Sequence, residues 1–75
     1  MPKLPRVSGN EIIRALERLG FQQIRQRGSH VVMKKTDATG THGCVIPRHP
    51  ELAAGTLRGI LRQAGVSLDE LLQQL

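Results

Sequence analysis

The sequence predicts a small α+β protein, in which a three-stranded antiparallel sheet carries helices on one face, in the order α-β-β-β-α with a terminal α. Three observations predict this class. Apolar residues recur at helical spacing near both ends of the 75-residue chain. Stretches rich in β-branched residues lie between them and are separated by glycine-containing turns. Three successive strands favour an antiparallel meander, whose second face is then left open to water or a ligand.

The first helix is predicted from its two ends. Ser8 and Glu11 form the pattern of a capping box, in which each side chain pairs with the other residue's backbone N–H. The apolar residues that follow share one helical face: Ile12, Ile13, Leu16 and Leu19. Gly20 is a natural left-handed C-terminal cap, and we expect Phe21 to fold back onto the helix.

The middle of the chain predicts three strands. Residues 21–26 and 30–35 form a β-hairpin around a turn at 27–29. Residues 36–43 contain two glycines and no apolar periodicity, which predicts a loop. A third short strand follows at 44–46 and ends at the next residue, a proline.

Two further helices are predicted after a corner at residues 47–50. The first has apolar residues at helical spacing and ends at Gly65, and these residues are Leu57, Ile60, Leu61 and Ala64. A second capping box, at Ser67 and Glu70, begins the last helix, whose stripe consists of Leu68, Leu71, Leu72 and Leu75. We expect this leucine stripe to complete the core. The alternative is that it stays exposed and is covered by a partner protein or a second copy of the chain.

Length and composition restrict the class of protein. A chain of 75 residues forms one domain, 1–75, with residues 1–7 expected as a flexible tail, and it excludes a large enzyme with a deep pocket. No apolar run reaches the roughly 18 residues of a membrane span, and the first ten residues show no apolar signal region, so we expect no membrane partner and a cytoplasmic location. The single cysteine excludes an internal disulfide.

The charge pattern points to a polyanionic partner. The formal net charge is +5, and residues 1–35 hold eight basic residues against two acidic ones. We therefore expect nucleic acid to dock on the first helix and hairpin, although solvated surface charges are the alternative. Phe21 is the only aromatic residue apart from histidine, so recognition is expected to rest on backbone charge and RNA shape instead of base stacking.

Four blocks of sequence carry a family likeness. They are LERLGF at 16–21, GSH at 28–30, IPRH at 46–49 and GTLRGIL at 55–61. In this order they resemble the HicA-type toxins, also called the YcfA-like family, from Ser8 to about Leu72. The most specific element is GSH after a helix-Gly-Phe segment and before a strand.

The resemblance implies both a fold and an activity. The fold is similar to the double-stranded RNA-binding domain, and the activity is that of an mRNA interferase toxin of a type II toxin–antitoxin system, which cleaves mRNA and halts translation. A HicB-type antitoxin is implied as the neutralising partner. The family's catalytic histidine corresponds to His30. Val31 stands where many members have a second histidine or an aromatic residue, so the substrate preference stays open.

His30 has the chemistry that RNA cleavage needs. RNA supplies its own 2′-OH nucleophile, so an imidazole that removes the 2′-OH proton or protonates the leaving oxygen is sufficient, and we expect no metal or cofactor. Basic neighbours offset the phosphate charge: Arg25, Arg27, Lys34 and Lys35. Taken alone, the tripeptide at 28–30 favours an ordinary hairpin turn followed by a strand histidine. The family resemblance favours a catalytic histidine instead. Strand alternation places His30, Val32 and Lys34 on one face of the sheet and residues 31, 33 and 35 on the other. The sequence does not decide which of these two faces the helices cover.

Other polar residues have smaller predicted roles. Gly28 fits a tight turn and Ser29 can donate a hydrogen bond to phosphate, while Arg48 and His49 are second-tier phosphate contacts. His42 is expected to be solvated. A zinc site is not expected, because no standard ligand spacing relates the candidate residues His30, His42, Cys44 and His49. Cys44 is expected to be a packed side chain, not a nucleophile.

Two hypotheses from other functional classes remain. A non-catalytic RNA-binding module would use the same basic hairpin, and it would not depend on His30. A pure interaction protein would use the charge to bind an acidic partner, and RNA competition against that partner would separate it from the other two.

Overall fold

The computed structural model describes residues 3–75 of the chain. Its elements are α1 (Gly9–Arg18), β1 (Gln22–Arg27), β2 (His30–Asp37), β3 (Gly40–Pro47), α2 (Ala54–Ala64) and α3 (Leu68–Gln74). The strands form one open antiparallel sheet in the order β1-β2-β3. The α+β class and the predicted order of elements are confirmed. No helix within residues 3–75 has both the length and the apolarity to cross a membrane.

The predicted start and end of α1 are confirmed. The Glu11 N–H donates to the Ser8 hydroxyl at 3.1 Å, and the Ser8 N–H donates to the Glu11 carboxylate at 3.0 Å. These bonds lower the pKa of Glu11. Gly20 ends the helix with a φ of 99°. The N–H of Phe21 then donates to the Leu16 carbonyl at 2.9 Å, so the buried Phe21 ring lies against the core as expected.

The helices cover one face of the sheet and leave the other open. Val31 and Met33 of β2 have no exposed surface, while His30 and Lys34 of the same strand are exposed. Because side chains alternate along a strand, His30 and Lys34 lie on the uncovered face, called the open face below. All six residues of β1 are exposed, whereas the helices contact β3 and share one buried core with Val31 and Met33 of β2. The open choice of face for His30 is thereby resolved.

The polar segment after β2 is a hairpin, and the predicted loop at 36–43 is wrong. β2 runs on to Asp37 and β3 begins at Gly40, before the expected start at 44. The Thr36 and Thr41 hydroxyls lie 3.2 Å apart across the two strands. This end of the hairpin extends beyond the core, so its pairing leaves no apolar alternation in the sequence.

The C-terminal helices complete the core. Gly65 ends α2 in the left-handed conformation with a φ of 69°, and the Ser67–Glu70 capping box begins α3. Leu71 has no exposed surface, whereas Leu75 is 48% exposed. The leucine stripe therefore contributes to the core in its middle and leaves its last residue outside. The largest fully buried core side chains are Ile12, Leu16, Val31, Met33, Ile46, Leu57 and Leu71.

Part of the expected N-terminal tail contacts the core. Val7 is buried, and its carbonyl accepts a hydrogen bond from the Leu52 N–H at 2.8 Å. Leu4 is half-buried against the same core. Residues 1 and 2 of the expected tail lie outside the described residues.

Candidate nucleic-acid interface

Strand pairing assembles basic side chains on the open face. Paired residues in antiparallel strands project to the same side, so Arg27 lies beside His30, with which it pairs. Arg25 pairs with Val32, and Lys34 lies on the same face further along β2. No open-face position of the three strands within residues 3–75 holds a carboxylate. The resulting surface favours an anionic ligand.

A β-bulge in β1 sets this arrangement. The register shifts between Gln23 and Arg25, so Ile24 is the extra residue of the strand. A regular strand starting from Gln22 would place residues 25 and 27 on the helix side, because a slip of one residue reverses the side-chain direction. The bulge turns Arg25 and Arg27 to the open face together.

The turn between β1 and β2 consists of Gly28 and Ser29. Gly28 has a φ of 55°, and glycine at the first turn position is typical of the type II′ hairpins that match strand twist. A Cβ atom at Gly28 would have no heavy atom within 4 Å, so the backbone conformation and not crowding calls for glycine. The side-chain amide of Gln26 donates through Nε2 to the Gly28 carbonyl at 2.8 Å. His30 is thus fixed at the first position of β2.

The corner after β3 is fastened beside this turn. The Arg48 N–H donates to the Ser29 carbonyl at 2.7 Å, and the Gly9 N–H donates to the His49 carbonyl at 2.9 Å. A Cβ atom at Gly9 would lie 1.9 Å from the Pro47 carbonyl oxygen, so only glycine allows α1 to approach this closely. The corner is therefore held between α1 and the β1–β2 turn.

This packing brings two histidines together. The His30 and His49 ring centroids are 6.4 Å apart, with an angle of 75° between the ring planes. Both side chains are exposed, and within residues 3–75 neither ring makes a hydrogen bond. Sequence reasoning gave His49 a minor role, because only the pairing of His30 with Pro47 places the corner beside the turn. The IPRH block was the available signal.

Two predicted contact residues have different surroundings. Arg48 is half-buried, and its guanidinium donates to Gln26 Oε1 at 3.3 Å and to Asn10 Oδ1. Lys35 projects to the helix side of the sheet, where its ammonium group lies 5.8 Å from the centroid of the Phe21 ring. The structure therefore groups a smaller set around the open face and its turn. This set is Arg25, Arg27, Gly28, Ser29, His30 and Lys34.

The remaining polar candidates have structural surroundings. Cys44 is buried, and burial raises the pKa of its thiol to about 11, which confirms the expected packed side chain. His42 was expected to be solvated, but its ring is half-buried and lies 2.9 Å from the Thr39 hydroxyl. Residues 3–75 contain no group of three His, Cys, Asp or Glu side chains placed to hold a metal ion.

The comparison with protein families gives a match over most of the chain. Residues 9–66 match the family model described as HicA toxin of bacterial toxin–antitoxin systems. This span runs from the first residue of α1 to just beyond α2, and it contains the whole sheet, the β1–β2 turn and the corner. No curated protein matches the chain. The match covers more than half of the chain and includes every open-face residue described above, so the protein belongs to the HicA family of toxins of bacterial toxin–antitoxin systems.

Proposed function

We propose that this toxin is a metal-independent endoribonuclease that cleaves mRNA and thereby inhibits translation. The observation that carries the proposal is the position of His30, an exposed imidazole on a basic face where no strand position within residues 3–75 holds a carboxylate. Arg27 pairs with it across the strands, and Arg48 holds the adjoining corner. A nuclease of this kind needs a proton-transfer group beside positive charge, and the open face supplies both.

The chemistry follows from the substrate. The RNA 2′-oxygen attacks the adjacent phosphorus, and the bond between that phosphorus and the 5′-oxygen of the next nucleotide breaks. The products are a 2′,3′-cyclic phosphate and a 5′-hydroxyl. His30 accepts the 2′-OH proton or donates one to the leaving oxygen. Arg27, which pairs with His30, is proposed to offset charge on the scissile phosphate.

RNA binding is proposed to depend on the backbone more than on the bases. Phe21 is buried on the helix side, so no aromatic ring except imidazole lies on the described open face. Lys34 is four residues from His30 in β2, about 13 Å along an extended strand, so it is proposed to contact a phosphate other than the scissile one. The helix–sheet order resembles that of double-stranded RNA-binding domains, which contact backbone and 2′-hydroxyl groups.

A HicB-type antitoxin is proposed as the partner that silences the toxin by covering the open face. This face combines the basic residues with an apolar position, Val45, which is 43% exposed and pairs with Val32. An acidic, partly apolar surface would complement both features. Competition between RNA and the antitoxin for the toxin checks this proposal, because a shared face allows only one of them to bind.

The alternative is a non-catalytic RNA-binding module on the same basic face. Both functions predict loss of affinity when Arg27 or Lys34 is removed, but only the nuclease depends on the imidazole of His30. An interaction protein without RNA affinity would show no competition by RNA.

The test is cleavage of a long RNA by the wild-type protein and by His30→Ala, both with excess chelator. His42→Ala is a matched control, since it removes a histidine from the opposite end of β2 and β3. We expect wild type and His42→Ala to cut and to leave cyclic phosphate ends, while His30→Ala binds RNA equally but cuts at least about 100-fold more slowly. Equal cutting by all three would contradict the assignment, and binding without cutting by the wild type would favour the module.

A further inference from the structure

We propose that His49 is a second catalytic residue, which exchanges protons with the RNA on the opposite side of the scissile phosphate from His30. This inference rests on the proposed nuclease function. The observation that carries it is the 6.4 Å separation of the two ring centroids, between two elements that are 19 residues apart in sequence.

The separation suits a phosphate between the rings. In-line attack at phosphorus places the entering and leaving oxygens on opposite sides, so the two protons move at different points in space. Each proton transfer needs a nitrogen within about 3 Å of its oxygen. Two imidazoles 6.4 Å apart can each reach one of these oxygens, whereas a single ring must turn or use water to serve both.

The rings are free to take part. Both side chains are exposed, and neither forms a hydrogen bond with another residue in 3–75. His42 differs, because its ring is in contact with Thr39 and Asp37. Free nitrogens on both His30 and His49 leave each able to serve as base or acid.

The backbone, and not the rings themselves, fixes the pair. The residues immediately before each histidine are joined by the hydrogen bond from Arg48 to Ser29 at 2.7 Å. The carbonyl of His49 accepts a further bond from the Gly9 N–H. A side-chain substitution at His49 therefore leaves the bonds that hold the corner in place.

The proton balance closes without a cofactor. One imidazole takes the 2′-OH proton as the 2′-oxygen bonds to phosphorus. The bond from phosphorus to the 5′-oxygen breaks, and the second ring, an imidazolium, gives its proton to that oxygen. Exchange with water then returns both rings to their starting protonation states.

The test compares two versions of an RNA that the wild type cuts. One is ordinary RNA, and the other has a bridging sulfur in place of the 5′-oxygen at the cut bond, whose leaving thiolate needs no proton. The variants are His30→Ala, His49→Ala and His49→Asn, with His42→Ala as the control. Thermal unfolding and RNA affinity confirm that each variant is folded and binds.

We expect His30→Ala and His49→Ala each to lose about 100-fold or more on ordinary RNA, with His49→Asn as impaired as His49→Ala. On the sulfur-containing RNA, the variant that lacks the acid recovers to within about tenfold of wild type, and the variant that lacks the base does not. A double variant that combines His30→Ala with His49→Ala loses little more activity on ordinary RNA than either single variant, because the two residues act as a unit.

Two results would overturn the inference. The first is a His49→Ala variant that cuts ordinary RNA at the wild-type rate while His30→Ala is inactive, which leaves the proposed function standing. The second is an impaired His49→Ala with neither variant recovered by sulfur, which shows that His30 and His49 are not the acid and base of one reaction. Full activity of His30→Ala would instead contradict the proposed function itself.

Discussion

The two ends of the sheet each carry a histidine near a two-residue turn, yet their surroundings differ. At the β2–β3 turn, His42 is half-buried, and its ring lies 3.3 Å from Asp37 and beside Gly65 at the end of α2. At the β1–β2 turn, His30 is exposed and makes no hydrogen bond with residues 3–75, and its neighbours across the strands are basic. The first histidine has local partners that occupy it, whereas the second is available to a ligand.

This difference shows how to distinguish a histidine that has structural contacts from one that is available to a ligand. Residue type and a nearby glycine are common to both ends, so neither feature distinguishes them. The distinguishing features are the hydrogen-bond partners of the ring and the charge of the face on which it lies. At the His42 end a carboxylate accepts hydrogen bonds, and at the His30 end no strand position of the open face holds one.

Gly9→Ala should have the largest effect on the fold at the His30 end. The added Cβ would lie 1.9 Å from the Pro47 carbonyl, so α1 and the corner must separate. We expect the free energy of unfolding to fall by about 1–3 kcal/mol and RNA cleavage to fall with it. Denaturant unfolding and a cleavage assay measure both effects.

Gly59→Ala is the matched control for that substitution. This glycine lies inside α2, and a Cβ there would have no heavy atom within 4 Å. The free energy of unfolding should rise by about 0.5–1 kcal/mol, because alanine favours the helix. Equal losses in the two variants would contradict the close approach of α1 to the corner.

Removal of open-face charge should weaken RNA binding. Arg27→Ala and Lys34→Ala are each expected to lower affinity and to reduce the slope of log affinity against log salt by about one. Arg62→Ala is the control, since Arg62 is exposed on α2 and lies away from the sheet's open face. An equal loss from Arg62→Ala would show that net charge, not the open face, determines binding.

His42→Ala should alter stability without altering cleavage. The substitution removes the ring that contacts Thr39 and Asp37, and the expected cost is about 0.5–1.5 kcal/mol in the free energy of unfolding. Cleavage per folded molecule should stay within about twofold of wild type. A large loss of cleavage with little loss of stability would indicate that His42, at the β2–β3 end of the sheet, takes part in catalysis.

The smallest expected effect is on the stability of the fold at low pH. Two hydrogen bonds from Thr39, with a lesser contribution from His42, lower the pKa of Asp37 from 3.8 to about 2. A lowered pKa in the folded state stabilises the fold above about pH 4, and this contribution is lost as the pH falls toward 2. Thermal midpoints of wild type and Asp37→Asn should therefore converge between pH 4 and pH 2. A difference that stays constant over this range would show that the Asp37 charge does not stabilise the turn.

Sequence patterns found the elements whose signals are local. The capping boxes at Ser8 and Ser67 and the left-handed glycines at 20 and 65 predicted both ends of α1, the end of α2 and the start of α3. The polar end of the β2–β3 hairpin was missed, because its pairing extends beyond the core and leaves no apolar alternation.

The site was predictable in part for a similar reason. His30 and its basic neighbours stand together in sequence, and the family blocks marked them. The bulge at Ile24, which turns Arg25 and Arg27 to the open face, depends on register and has no local signature. The approach of His49 to His30 depends on pairing between distant segments, so composition and spacing do not reveal it.

The proposed function requires RNA to engage the β1–β2 end of the open face and not the β2–β3 end. The most direct measurement is an NMR titration of the isotope-labelled protein with a short RNA fully methylated at its 2′-oxygens, which binds but has no nucleophile for cleavage. We predict the largest amide shifts in residues 25–32 and 46–49, with little change in residues 37–42. Shifts concentrated in residues 37–42 or on α2 and α3 would contradict the account.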